Sequence, residues 1–292
     1  MKKAFKENGP LLGAHMSVAG GLDTAFERAD RVGCTALQIF TKNSNQWNDP
    51  VLTEDDVQKY LQAKINSKVR IVVSHNSYLI NLCAATEYLL NRSRKAFIAE
   101  IKRCSLLGIR YLIFHPGAHT TLERSSALRL VSESLNHCLS VTADSDVVLL
   151  VETTAGQGTT VGSTFEEIAA IISEVKDKNR IGVCLDTCHI FAAGYDIRTS
   201  DAYRETMKQF DHTVGLKNLF AIHFNDAKKP LNSRVDRHEN IGKGQIGKKA
   251  FGLFLNDDRL SQIPKILETP KGEDGYKMDV VNLRVLRSLI SK

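Results

Sequence analysis

At 292 residues, 42% of them hydrophobic and 25% charged, the chain can bury a large core, which excludes a disordered or fibrous protein and leaves two ordinary domains or one α/β barrel. The formal net charge of +6 points away from cationic partners and gains meaning only if the positive residues gather around a site. No apolar run nears the roughly 20 residues of a membrane span, and the opening MKKAFKENGP lacks the apolar stretch of a signal peptide, so a soluble cytoplasmic protein is expected. Cys34, Cys83, Cys104, Cys138, Cys184 and Cys188 are scattered through apolar runs, as expected of reduced, buried thiols. Cys184 and Cys188 lie four apart beside Asp186, but no second pair completes a thiolate zinc site.

In chain order, Leu11 to Ala14 form an apolar run ending at His15 and followed by the turn pair Gly20 and Gly21, which reads as strand then loop. Asp23 to Arg31 has helical character, and Gly33 stops it. Ala36 to Phe40 is a second strand, TKNSNQWNDP a polar loop, and Thr53 to Lys68 a helix opening on three acidic residues. Ile71 to Val73 runs into Ser74 and His75, after which Thr86 to Leu107 is a long helix stopped by Gly108. Tyr111 to Phe114 ends at His115, Leu122 to Val141 is helical, and Val147 to Val151 is a buried-strand pattern ending at Glu152. Ser163 with Glu166 has capping-box spacing ahead of a helix carrying Phe165, Ile168, Ala169 and Ile172.

The stretch IGVCLDTCHIFAAGYD, from Ile181, is a short β-branched run that stops at Asp186, with His189 three residues on. Taken alone, Asp186 is a helix cap and His189 a core histidine. Ala202 to Val214 is predicted helical, and Leu219 to Ile222 ends at His223. The polar loop from Asn225 to Gly247 is long enough to demand a function. Ala250 to Leu255 is a short helix, Ile263 to Leu267 a last strand ending at Glu268, and Asp279 to Ile290 a closing helix. Eight strands alternating with helices predict a single-domain parallel (β/α)8 barrel over residues 11–292, with residues 1–10 a flexible tail. The structural rival is an open doubly wound sheet.

In a parallel barrel all strand C-termini emerge on one face. His15, His75, His115, Glu152, Asp186, His223 and Glu268 then become neighbours, and independent core histidines explain that concentration poorly. Imidazoles and carboxylates converging without cationic partners repel and desolvate one another unless they share bound cations. Mixed nitrogen and oxygen donors suit zinc, with manganese or iron as alternatives. In the long loop, Asp236 and His238 are two residues apart, a spacing that in extended backbone points both the same way, so with His189 they can close a further site.

These residues resemble the endonuclease IV type of apurinic/apyrimidinic endonuclease, a zinc-dependent DNA repair enzyme on a (β/α)8 barrel. The resemblance spans nearly the whole chain and rests on GAHMSVAGG, FTKNSNQW, HNSYLINL, FHPGAH, ETTAGQG, CLDTCHIFAAGYD, HFND, SRVDRHENIGKGQIG and LETP. It implies three zinc ions, manganese being possible at one or more sites: one held by His75, His115 and Glu152, a second by Glu152, Asp186, His223 and Glu268, and a third by His189, Asp236 and His238. It implies a monomer acting on duplex DNA that contains abasic sites. The reaction that the resemblance implies is hydrolysis of the phosphodiester 5′ to the base-less sugar, leaving a 3′-hydroxyl, with metal-activated hydroxide as nucleophile oriented by Glu152 or Glu268, and related removal of blocked 3′ ends.

DNA contacts are expected from Lys42, Asn43, Asn45, Gln46, Trp47, Tyr78, Lys228, Lys229, Asn232, Ser233 and Arg234, on loops of the same face. An aromatic such as Tyr78 can wedge into a base stack, whereas Trp47 has ordinary packing as an equal alternative. Where family members often carry arginine, this chain has the shorter, uncharged Asn45. The competing functions are a metal-dependent sugar isomerase or epimerase on the same barrel and a non-catalytic metal-storing or nucleic-acid-binding barrel.

Overall fold

The computed structural model describes residues 9–47 and 50–291. Most of the expected N-terminal tail lies outside them; Gly9 and Pro10, the described part, accept hydrogen bonds through their carbonyls from Arg70, and Pro10 also from Thr35.

The chain alternates strand and helix: β1 (Leu12–His15), α1 (Thr24–Val32), β2 (Ala36–Phe40), α2 (Glu54–Asn66), β3 (Ile71–His75), α3 (Glu87–Leu106), β4 (Tyr111–Phe114), α4 (Arg124–Val141), β5 (Val148–Glu152), α5 (Phe165–Glu174), β6 (Ile181–Asp186), α6 (Thr187–Ala193), α7 (Ser200–Thr213) and β7 (Leu219–His223). It closes with the short β8 (Asp226–Ala227) and β9 (His238–Glu239), α8 (Lys248–Leu255), β10 (Lys265–Leu267) and α9 (Lys277–Ser288). The order β1-β10-β7-β6-β5-β4-β3-β2 closes a parallel barrel, so the (β/α)8 expectation holds and the open-sheet rival falls. β8 and β9 pair antiparallel inside the long loop, where the sequence shows no strand periodicity because two residues a side are too few to carry one.

Inward-facing Ala36, Val73, Ile113, Val148, Leu150, Cys184, Ala221 and Ile266 fill the barrel, and a larger apolar layer lies between strands and helices. This core anchors the strands, and their C-terminal tips inherit its rigidity. Gly13 has a local reason to be glycine: a Cβ there would sit 1.7 Å from the Ala36 carbonyl oxygen. That close approach sets β1 against β2 with His15 opposite Gln38.

Several boundaries differ from the expectations. The capping box at Ser163 and Glu166 is displaced by one residue: Thr164 caps α5 by accepting from the Glu167 amide, and the Glu167 carboxylate accepts from the amides of Gly162 and Ser163. Arg124 pairs with that same carboxylate, which makes Glu167 the better partner of the two adjacent glutamates. The last strand starts at Lys265 rather than Ile263, since Pro264 has no N–H to give a ladder.

Lys265 is an anomaly in the outer apolar layer. It is only 2% exposed, its ammonium donates to the Leu260 carbonyl, and burial lowers its value from 10.5 to about 7. The folded chain therefore gives up a proton that the unfolded chain keeps between those values, so stability is full above about 10.5 and is lost as pH falls toward 7. The urea midpoint of the wild type is expected to climb over that window. Lys265→Met should flatten the climb and be the more stable protein at pH 7, by ~2 kcal/mol or more; parallel pH profiles would show that the buried amine does not couple to folding.

Candidate metal centre

The strand tips and the residues just after them bring His75, His115, Glu152, Asp186, His189, His223 and Glu268 to one face, and β9 with the segment before it adds His238 and Asp236. Glu152, last residue of β5, is fully buried at the centre. Its Oε2 lies 3.0 Å from His75 Nε2 and 3.2 Å from His115 Nε2, and its Oε1 lies 2.8 Å from His223 Nδ1 and 3.4 Å from His189 Nδ1. Among the described residues donor atoms gather into four groups: His75, His115 and Glu152; Glu152, Asp186, His223 and Glu268; His189, Asp236 and His238; and Asp186, Cys188 and His238. The first three bring together the residue sets that the resemblance implies.

Asp186 does two things at once. It is the N-cap of α6, its Oδ1 accepting from the His189 amide at 2.8 Å, while its Oδ2 lies 3.8 Å from His223 Nδ1 and 3.7 Å from His238 Nε2. The helix-cap reading of Asp186 and its place among the donors are therefore both true. Cys188 also lies beside Asp186 and His238, but its thiol is pushed up by burial and donates toward the Arg237 carbonyl. Cys184, pushed up to about 12 by burial, is likewise a core thiol.

The carboxylates at this face are held ionised by the imidazoles around them. Burial raises the Glu152 carboxyl, but His223, His115 and the other imidazoles outweigh it and hold the group well below the carboxylate range. Burial likewise opposes ionisation of Asp236, and His189 with His238 overrides it, down to about 2. His189 Nε2 and His238 Nε2 are buried without hydrogen-bond partners, although Asp236 oxygens stand 3.1 and 3.3 Å away. Lone pairs and carboxylates that converge on shared space without hydrogen-bond geometry fit a divalent cation, and nitrogen with oxygen donors fits zinc.

The face is accessible. A cleft of about 210 Å³ is lined by His115, Gln157, His189 and Asp236, and another of about 440 Å³ by His15, Tyr78, His238, Glu268 and Lys271. The donor groups thus lie between two openings rather than in a closed structural site.

A family described as xylose isomerase-like TIM barrel matches residues 26–286. The probable endonuclease 4 of Geobacter sulfurreducens is 45% identical over 281 residues, 96% of this chain and 95% of that protein, and that of Trichlorobacter lovleyi is 47% identical over 278 residues, covering 95% and 99%. Endonuclease IV from Thermus thermophilus superposes with a TM-score of 0.84 at 36% identity, covering 96% of this chain and 98% of that one. The chain belongs to the endonuclease IV family. A D-tagatose 3-epimerase-like protein, at 16% identity and a TM-score of 0.74, shares the barrel fold.

Endonuclease IV family membership makes the chain a nuclease and directs attention to what supports its donors. Sequence reading missed Gln38, Asn225, Asp226 and Gln157. Asn225 donates to Asp186 Oδ2 at 2.6 Å and accepts from the Glu268 amide at 2.8 Å, and Gln157 accepts from the Asp236 amide at 2.8 Å. Gln38 had a legible signal, being the polar inward position of β2, the one barrel strand that neither ends on nor is directly followed by a histidine or carboxylate.

The loop residues expected to meet DNA are mostly on the surface. Asn43, Asn45, Gln46, Lys228, Lys229, Asn232 and Arg234 are exposed, and Tyr78 is 58% exposed above Phe40 and His75. Lys42 differs: it is buried, at 6% exposure. Trp47 has Arg92 stacked 4.3 Å from its ring centre, which is the packing alternative. Ser233 is half-buried between Asn232 and Arg234, whose φ values of 61° and 55° are left-handed. Their amides donate to the Phe191 and Ala192 carbonyls at the end of α6, which fastens this loop to the helix bearing His189.

Asp226 organises the rest of the long loop. Fully buried, its carboxylate accepts from the amides of Ala227, Gly242, Gly244, Ile246 and Gly247. Asp226→Ala should leave those amides unpaired and destabilise the fold by ~3 kcal/mol. Amide hydrogen exchange should accelerate across residues 238–247 before the barrel strands; uniform acceleration throughout would refute this local role.

Proposed function

We propose that this chain hydrolyses the phosphodiester on the 5′ side of abasic sites in duplex DNA, leaving a 3′-hydroxyl, and that it also removes blocked groups from 3′ ends. The observation that carries the reading is the fusion of three donor groups through the shared Glu152 and the neighbouring pair Asp186 and His189. A metal-dependent sugar isomerase or epimerase accounts for two metals but not for the third group, which the long loop supplies through Asp236 and His238.

His75, His115 and Glu152 would hold one zinc, Glu152, Asp186, His223 and Glu268 a second, and His189, Asp236 and His238 the third. Bound, these ions supply Lewis-acid activation of water and neutralise charge on the phosphate and leaving oxygen. The protein's own part is to hold the donors rigidly around Glu152 and to leave Glu268 on the edge of an open cleft where it can orient an attacking water by hydrogen bonding. No side-chain nucleophile is required.

The exposed amides and cations on the same face suit a sequence-independent grip on phosphates. Asn43, Asn45 and Gln46 offer hydrogen bonds, Lys228, Lys229 and Arg234 offer charge, and Asn232 presents its amide from a loop held stiff by its left-handed residues, with the Ser233 hydroxyl buried beneath. Tyr78, broad and exposed beside His75 and His115, suits a wedge that opens the stack next to the metal groups.

A duplex with one synthetic abasic site is expected to be cut on its 5′ side by the zinc-loaded chain, with up to three ions bound, and Glu152→Ala or Glu268→Ala should slow the cut by on the order of a thousandfold or more. An intact duplex in the presence of fully loaded protein would favour the isomerase reading. Arg234→Ala should weaken binding to abasic duplex and lower the salt-dependence slope by about one; an unchanged slope would remove that arginine from the DNA surface.

A further inference from the structure

Four of the histidines in the metal centre have the ring nitrogen that is not in their own donor group engaged by the protein. His75 Nδ1 donates to the Asn76 carbonyl at 2.8 Å, His189 Nδ1 to the Thr153 carbonyl at 2.8 Å, and His238 Nδ1 to the Glu268 carbonyl at 3.2 Å. Those three acceptors are backbone atoms, which no substitution removes. His223 is different: its Nε2 meets a side chain, Gln38 Oε1, at 2.8 Å.

The orientation of the Gln38 amide follows from its other contacts. Its Nε2 lies 2.5 Å from Glu268 Oε1 and 3.0 Å from His15 Nδ1. A carboxylate accepts and cannot donate, so the nitrogen end must face Glu268 and the oxygen end must face His223. The reversed amide would set oxygen against oxygen. With Oε1 accepting, His223 carries a hydrogen on Nε2, which leaves Nδ1 as the ring atom that faces Glu152, Asp186 and Glu268, at 2.8, 3.8 and 3.3 Å from their oxygens and within hydrogen-bond distance of Glu152. Gln38 is fully buried, and both of its N–H groups and one of its two oxygen lone pairs are used.

We infer that Gln38 is the positioning residue of the group formed by Glu152, Asp186, His223 and Glu268: it sets the tautomer and ring angle of His223 and, through the same amide, the rotamer of Glu268. Two donors of one site, from β7 and from the end of β10, are tied together by a single side chain on β2. The inference rests on the reading that this group binds a divalent ion. Partners of this kind hold a ligand's orientation, and losing one weakens metal binding by about 10- to 100-fold. His15, which accepts from the same amide nitrogen, supports Gln38 from β1.

The test is a chelator challenge of the zinc-loaded full-length protein, wild type beside Gln38→Met, which keeps the length of the side chain without its hydrogen bonds. One equivalent of zinc should leave the variant about 10- to 100-fold faster, with the remainder released at the wild-type rate. Unchanged release of every equivalent overturns the inference. So does faster release of all of them together, which would mark a general loosening of the barrel mouth. A wild-type protein that takes up no zinc in the same assay sinks the metal reading itself, so the two failures are distinguishable. If Gln38→Met does not fold, long-range ¹⁵N correlation spectra of the wild-type histidines decide the point. His223 should then be protonated at Nε2 and zinc-bound through Nδ1, and the opposite assignment overturns the inference.

Discussion

A carboxylate with no solvent exposure, standing between four imidazoles, is the constraint on which the rest of this molecule depends. Glu152 cannot be solvated where it is, so its charge has to be met by N–H groups of its neighbours or by a cation shared with them. The neighbours come from β3, the end of β4, α6 and β7. Only an architecture that points several strand ends at one spot can deliver them, and a closed parallel barrel is such an architecture. The fold thus makes the electrostatic problem, by burying the group, and solves it, by converging the imidazoles.

That logic explains which parts of the centre were legible in the amino-acid sequence. A strand ending on a histidine or a carboxylate is visible as an apolar run with an abrupt polar stop, and β3, β5, β6 and β7 all announce themselves in that way. His189, Asp236 and His238 became readable only through their company. The supporting residues were harder because they occupy ordinary positions: Asn225 and Asp226 follow β7 inside a loop without periodicity, and Asp226 finds most of its partners among backbone amides 16 to 21 residues away. Hydrogen bonds from a side chain to distant backbone leave no pattern in composition or spacing. The displaced cap of α5 has the same origin, since the choice between Glu166 and Glu167 is made by Arg124, some forty residues earlier.

The loops show a division of labour between rigid and adaptable parts. Asn232 and Arg234 adopt left-handed backbone and are fastened to the end of α6, so this stretch is positioned by the element that carries His189. The loop after β2 is tied differently, Ser44 accepting from the Ser77 hydroxyl and Trp47 lying under Arg92 of α3. Its exposed Asn43, Asn45 and Gln46 stand on that support. A shorter residue at position 45 therefore changes what the loop offers to a partner while leaving its anchoring contacts in place.

The closing strand has a temporal meaning. β10 is three residues long and is inserted between β1, the first strand made, and β7. Glu268 follows it directly, and Gln38, on β2, reaches that carboxylate across 230 positions of sequence. During synthesis the early strands and their histidines emerge long before the residue that completes the central donor group. A chain interrupted before its last barrel strand carries most of the donors but neither a closed barrel nor Glu268. The barrel, and with it the central donor group, is complete only once β10 has been made and inserted between β1 and β7.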